Sequence, residues 1–417
     1  MLPREQGSRQ TDFVSRTYAL KAYAGQDALA ALPDELGRHD VRRALVVCGR
    51  SVHERSTLTD RVATLLGDRL AGIFPGISEG APSQSIEAAA RMALEVGADG
   101  LIAIGAGSVL KGARVVAMLM GEKRSLEDMA TRHVEGQPAI SQKLLAPKVP
   151  IFNVLTSPTS AQNRGGSAVR HHGAVHHLEF FDPKTRPRAV FWDSEALATA
   201  PLSLARSTGF ETYWWALMCM GAAATSNPLV QASRYQAWKL ARHAYPLLSD
   251  SGDADARIDL CAASLLQNRD EEDGGRPLSC HLLVRASYAV AVAVFNRYPG
   301  LTQSHGYAGM APSVIRCMGH LCPTVTADIG AALGLDVSAS EPQLAERVAA
   351  AVESDFVALG WQASLAQAGI PLADVSTLLG FALKNYNANH DRLLDQHLDP
   401  LRHAITLAIN SSTLAAA

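Results

Sequence analysis

The chain has 417 residues, 47% of them apolar, and 38 Lys and Arg against 40 Asp and Glu give a formal net charge of −2. That length supplies two or three domains with full cores, and the near-neutral balance gives no electrostatic case for a nucleic-acid partner or an anionic membrane surface. The longest apolar run, Ala286–Phe295, is about half of the roughly 20 residues a bilayer span needs, so it reads as a buried helix and no membrane partner is expected.

Residues 1–11 have no hydrophobic signal core and read as a loose tail. From 27 onward the pattern alternates. DALAALPDELGRH (27–39) has helical spacing, RALVVCG (43–49) is a buried strand ending in glycine, and TLTDRVATLLGDRL (57–70) is helical again. AGIFPGI (71–77) is a strand, SQSIEAAARMALEVGA (83–98) an amphipathic helix, and DGLIAIGAGS (99–108) a strand running into a glycine turn. VPIFNVLTS (149–157) is a further strand. The stretch His171–Asp193 contains HHLEFFDPKTRPRAVFWD, whose apolar runs broken at Asp-Pro and Arg-Pro suggest a hairpin and a return strand. Beyond it the helical period persists through 203–224, 283–295, 342–360 and 371–385, and the polar stretches DSGDADARID (250–259) and NRDEEDGGRP (268–277) read as exposed loops. The expected fold is an α/β domain with a mostly parallel sheet over 12–193, followed by an all-α domain over 194–417.

Six cysteines, at 48, 219, 261, 280, 317 and 322, are too few for a disulfide scaffold, which points to a reducing, cytoplasmic setting. Cys317, His320 and Cys322 match no common zinc spacing, and His171, His172, His176 and His177 read as a solvated hairpin, because strand alternation splits each adjacent pair.

The junction Gly105-Ala106-Gly107-Ser108 is the most informative segment. Glycines allow a tight turn and close approach of a ligand, and the helix that follows presents free N–H groups and a positive dipole end, which suit a diphosphate. The segment is not the G-x-G-x-x-G of the common Rossmann fold. GADGLIAIGAGSVLKGARVVA resembles instead the strand–GGGS–helix segment of the iron-dependent alcohol dehydrogenase and maleylacetate reductase superfamily. LTDRVATLLGDRLAGIFPGISEGAPSQSIEAAARMALEVGAD is particularly similar to the maleylacetate reductase branch. The resemblance implies NAD or NADP bound by Gly105, Ala106, Gly107, Ser108 and Lys111, with Arg114 a second cation beside the turn. Where the family carries an acid against the adenosine ribose, this chain has Gly49 followed by Arg50, which permits a 2′-phosphate. PIFNVLTSPTSAQNRGGS resembles the family's loop at the nicotinamide, with Thr156 and Ser157 at its two threonines, and with Gln162, Asn163 and Arg164 as substrate-pocket candidates. KNYNANHDRLLDQHLDPLRHAI is similar to the family's final segment.

Iron-dependent members hold the metal with one Asp and three His, the first two on one helix face four residues apart. TGFETYWWALM matches that helix with Glu211 at the Asp and Trp215 at the first His. An indole offers only a donor N–H and cannot ligate a metal. SHGYAGMAPSVIR places His305 at a later ligand; in a second register His305 is the earlier ligand and His320 the later. With one ligand or two gone, no metal is expected. His305, with Glu211 and Tyr213, is then the candidate to polarise a carbonyl or move a proton, and Trp215 the candidate to line the substrate pocket. Three readings stay open: a metal-independent NAD(P)-dependent oxidoreductase acting on a carbonyl or alcohol; a biosynthetic tailoring enzyme, such as one that oxidatively decarboxylates a peptide or other large substrate, for which Arg164 and Arg170 would suit a carboxylate; and a catalytically silent binding protein. The partners expected are a small-molecule or peptide substrate and a second copy of the chain in a dimer.

Overall fold

Strand β2 (Ala44–Cys48) shows why the apolar runs of the first half are strands. Leu45 and Val47 enter the core on one face of the sheet, Ala44, Val46 and Cys48 the core on the other, and none is exposed. Strand β4 (Gly100–Gly105) divides its side chains likewise, Leu101 and Ala103 to the first face and Ile102 and Ile104 to the second. A strand covered on both faces needs no polar alternation, so it reads as an unbroken apolar run.

The computed structural model describes residues 10–134, 137, 139–171, 177–250, 252–269 and 280–410. The chain divides into an α/β unit, Tyr18–Gly209 with Leu247–Leu265, and a helical unit made of Met1–Thr17, Phe210–Pro246 and Leu266–Ala417.

The α/β unit is built on a six-stranded sheet in the order β1 (Lys21–Gly25), β8 (Ala189–Asp193), β5 (Ile151–Leu155), β4, β2, β3 (Leu70–Phe74), every neighbour parallel. Helices α1 (Leu32–Arg38) and α3 (Leu58–Leu66) cover one face, with the short α2 (Arg50–Arg55) between them in sequence. Helices α4 (Ser83–Glu95) and α5 (Gly107–Glu122) cover the other. Strands β6 (Gly166–Val169) and β7 (Leu178–Phe181) form the antiparallel hairpin expected near His171. The return strand β8 does not extend that hairpin. It enters the main sheet, parallel to β1 and β5. Edge strand β1 escaped the sequence reading because half-exposed KAYAG has neither an apolar run nor a clean alternation.

Two expectations are corrected. The division falls between Gly209 and Phe210, inside one continuous helix, rather than near Asp193, and residues 247–265 return to the α/β unit. DSGDADARID is not all exposed loop. After the short α6 (Leu126–Met129) and α7 (Ser194–Ala198) come α8 (Leu202–Cys219), α9 (Pro228–Ala244) and α10 (Ala254–Gln267), and α10 begins inside that polar stretch. Buried Arg257 pairs with Asp253 at 2.9 Å and donates to the carbonyls of Leu197 and Ala200, so these two polar residues are consumed internally. Beyond Arg269, NRDEEDGGRP lies outside the described residues, as do His172 and His176.

The helical unit continues with α11 (Leu282–Arg297), α12 (Gln303–Met318), α13 (Pro323–Ala332), α14 (Leu344–Ala358), α15 (Val375–Leu383), α16 (Tyr386–Asn389) and α17 (Leu398–Asn410). Small residues let α11 and α12 nearly touch: a Cβ on Gly306 would lie 2.7 Å from Ala291 Cα. Among the described residues no helix is long and apolar enough to cross a membrane.

Candidate active site

In the α/β unit the candidate site starts where β4 delivers its last residue, Gly105, to the turn before α5. A Cβ on Gly105 would stand 2.6 Å from Val109 Cγ2, so only glycine lets the strand fold straight into that helix. Ala106 is the N-cap and gives no side-chain bond to the first turn, and the Val109 N–H turns back to the Ala106 carbonyl at 3.1 Å, so the amides of Gly107 and Ser108 are the ones an outside acceptor would meet. Gly107 opens the helix. A Cβ there would lie 3.3 Å from Thr159 Oγ1 and 3.9 Å from Lys111 Cε, so the bare glycine floors a small cradle with a hydroxyl and a lysine stem at its wall. A helix start without its own cap, a glycine floor and a lysine fit an anionic diphosphate.

The neighbouring residues brace this turn. Ser108 Oγ accepts from the Gly80 N–H at 3.1 Å, and the Thr156 N–H donates to the Gly105 carbonyl at 3.3 Å. Thr156 and Ser157 are both buried, and Ser157 Oγ lies 2.5 Å from Thr208 Oγ1 on α8. At the end of β2, Gly49 caps α2 with extended backbone, and Arg50 is 80% exposed with only a 3.9 Å approach to Glu54.

Two polar residues have internal roles that the sequence did not show. Arg114 was expected beside the turn, but it is 1% exposed. Its Nε donates to Ser167 Oγ at 3.0 Å and its Nη1 to the Ala161 carbonyl at 2.6 Å, tying α5 to the 160–163 turn. Gln162, expected in a substrate pocket, is fully buried. Its Nε2 donates to the Cys261 carbonyl and its Oε1 accepts from Trp192 Nε1, each at 2.8 Å, so its carboxamide is spent on the core. Asn163 is buried beside it and Arg164 half-buried. Arg170 donates to the Glu79 carbonyl at 2.5 Å and packs over Gly80. His171 pairs with Glu127 at 3.0 Å.

In the helical unit, α8 carries Glu211, Tyr213, Trp214 and Trp215. Glu211 is half-buried. Tyr213 donates its hydroxyl to Asp355 Oδ2 at 2.9 Å inside a cage of Phe210, Trp238 and Tyr245, and burial, then the Asp355 charge, pushes the phenol far up. That places Tyr213 in the core rather than among the acid–base groups. Trp215 is 6% exposed, beside Trp214 and Tyr288, and Trp214 stacks on Tyr307 at 3.9 Å. Four aromatic rings therefore gather around the position the sequence reading gave to a histidine ligand. Among the described residues, no three His, Cys, Asp or Glu side chains are gathered as a metal site would need.

His305 is the third residue of α12 and takes part in a reciprocal cap with Thr302. The Thr302 N–H donates to His305 Nδ1 at 3.0 Å, and Thr302 Oγ1 lies 2.8 Å from the same nitrogen. The ring meets Trp361 edge-on at 5.3 Å, and burial lowers its pKa. An Nδ1 that accepts leaves the neutral ring's proton on Nε2. Thr302 and Trp361 were missed in the sequence. The only available signal was a Thr three residues before a His at a helix start, the spacing of a capping box with an unusual third member. His320 is exposed beyond the far end of α12. At about 1.5 Å of rise per residue it lies roughly 20 Å from His305, which removes the second ligand register.

His281 caps α11: its Nδ1 accepts from the Val284 N–H and its Nε2 donates to the Met218 carbonyl at 2.7 Å. Burial pushes its pKa down to about 4 from 6.5. The folded protein therefore holds fewer protons than the unfolded chain between those values. This histidine's contribution is complete above pH 6.5 and lost as pH falls toward 4, on the order of 3 kcal/mol. Urea denaturation of the wild type should show a lower midpoint at pH 4.5 than at pH 7, and His281→Gln should flatten that difference. An equal pH dependence in the variant would remove His281 as its source.

The chain is similar in sequence and in fold to known proteins. Residues 20–194 match the family model described as iron-containing alcohol dehydrogenase. The chain is 25% identical over 247 residues to maleylacetate reductase 2 of Cupriavidus pinatubonensis, covering 59% of this chain and 60% of that protein. It is 27% identical over 246 residues to 4-hydroxybutyrate dehydrogenase of Cupriavidus necator, covering 57% and 61%. The chain thus spans about three fifths of the length of these two relatives. Among solved structures, the NADH-dependent butanol dehydrogenase A of Thermotoga maritima superposes with a TM-score of 0.78 over 95% of this chain and 100% of that one, at 16% identity, a likeness of fold alone.

Proposed function

We propose that the chain, whose residues 20–194 match the iron-containing alcohol dehydrogenase family model and which is similar to maleylacetate reductases, is an NAD(P)-dependent oxidoreductase of that superfamily that moves a hydride between the coenzyme and a carbonyl or alcohol carbon without a metal ion. The observation that carries the reading is the turn Gly105–Ser108: an uncapped helix start floored by Gly107, with Lys111 at its edge. When bound, the nicotinamide supplies or accepts the hydride. Gly105, Ala106, Gly107, Ser108 and Lys111 would hold the diphosphate, and Thr156 and Ser157 keep the adjoining strand end in place.

The donor set does not fit iron or zinc. Trp215 presents an indole where a ligand is required, and His305 has already spent Nδ1 on Thr302. His305 instead polarises the substrate oxygen through its Nε2–H. Protonating Nδ1 would cost the cap, so the neutral ring is the working form, and the proton that completes an alcohol comes from solvent. Maleylacetate reductase 2 and 4-hydroxybutyrate dehydrogenase are both named for carboxylate-bearing substrates, and Arg164 is the cation we assign to a substrate carboxylate.

Fluorescence titration with NADPH and NADH, alongside metal analysis, tests the reading. The expected result is saturable micromolar binding of at least one coenzyme, and reduction of a panel of keto and aldehyde acids that persists in EDTA. Failure to bind either coenzyme, or activity that follows a stoichiometric metal, would end it. Exposed Arg50, with no acid at Gly49, favours NADPH. Arg50→Glu is expected to weaken NADPH binding about tenfold, near 1.4 kcal/mol, and leave NADH unchanged; equal losses for both would show that Arg50 reads something other than the 2′-phosphate.

A further inference from the structure

Cys219 closes α8 and is buried, while Cys280 immediately precedes the cap of α11 and is half-buried. Their sulfurs are 3.9 Å apart, although 61 positions separate them in sequence. The adjacent residues hold the same two segments together, because His281 Nε2 donates to the Met218 carbonyl at 2.7 Å. One hydrogen bond therefore fixes the approach of the backbones next to the sulfur pair, and the thiols need close by only about 2 Å to reach bonding distance.

The remaining four cysteines are buried or half-buried as well. Cys48 and Cys261 are fully buried, and burial holds the thiols of Cys48 and Cys322 up at about 12 and raises those of Cys261 and Cys317.

We propose that Cys219 and Cys280 form a reversible redox clasp joining the end of α8 to the start of α11. The oxidant is a low-molecular-weight disulfide such as oxidised glutathione. The more accessible Cys280 attacks one of its sulfurs as thiolate, forming a mixed disulfide and releasing one thiol. Cys219 then attacks Cys280 Sγ, forming the protein disulfide and releasing the second thiol. Two protein thiols lose two electrons and two protons, and the small disulfide becomes two thiols. The clasp closes a long loop, so it removes conformational freedom from the unfolded chain.

The test is peptide mapping of the full chain after incubation with a graded glutathione buffer, with and without dithiothreitol. The expected product is a loss of two hydrogens in mass, a single cross-linked peptide pair containing Cys219 and Cys280, and a melting temperature higher by about 5 °C that dithiothreitol reverses. Cys280→Ser, at the half-buried position, should abolish both changes. Cys219→Ala keeps the test valid if a serine at buried Cys219 unfolds the protein, and it should stop the reaction at a glutathione adduct on Cys280. Glutathione adducts alone on the wild type, a cross-link between other cysteines, or a melting temperature indifferent to oxidation would each overturn the clasp.

Discussion

Gly107→Asp is expected to abolish nicotinamide dinucleotide binding while leaving the fold intact. The new Cβ would stand 3.3 Å from Thr159 Oγ1 and in ordinary contact with Lys111 Cε, so a shift of a few tenths of an ångström in the Thr159 side chain accommodates it. The carboxylate would then lie at the mouth of the helix start, repelling the diphosphate and pairing with Lys111 in its place. We expect at least a hundredfold rise in Kd for NADPH and NADH, near 3 kcal/mol, with a melting temperature within about 2 °C of the wild type. Gly107→Ala, which adds the Cβ without the charge, should lose much less. If Asp at 107 bound coenzyme as well as glycine does, the phosphate site would have to be moved elsewhere, whatever the family.

Gly306→Val is expected to unfold the helical unit or lower its stability by about 3 kcal/mol or more. Any Cβ at 306 meets Ala291 Cα at 2.7 Å and Ala291 O at 2.9 Å. Those are backbone atoms of the facing helix, so no rotamer change relieves the overlap and the axes of α11 and α12 must separate. The buried Ala289, Val290, Ala293 and Val294 of α11 would lose packing as they do. Circular dichroism melts should show a fall of about 10 °C. Ala291→Gly in the same chain should rescue little, because it removes the Cβ at 291 and leaves the α-carbon and carbonyl. A full rescue would mean that the two helices are spaced by side chains instead.

These two glycines mark different degrees of legibility. Gly107 stands where an apolar strand, a glycine turn and a helical period follow within one short segment, and each signal is local. The parallel sheet was legible for the same reason, since strands covered on both faces become apolar runs between amphipathic helices. Gly306 could be read only as part of a histidine–glycine pair. Its contact with Ala291 depends on how two helices cross.

What the sequence determined by itself was the α/β order of elements and the glycine turn that carries β4 into α5, because a residue's own chemistry or its near neighbours settle each of these. The tertiary structure alone decided which polar side chains face inward. Lys111 and Arg114 share one helix, yet only Arg114 is drawn into the core by Ser167 and Ala161. Gln162 and Tyr213 look like site residues until Trp192 and Asp355 claim their polar atoms. Strand β1 is held by its register with β8, and Cys219 meets Cys280 across a long excursion of the chain. Partners brought together by folding leave no periodic mark in the sequence, because the free energy that pairs them comes from desolvation and close packing of segments distant along the chain.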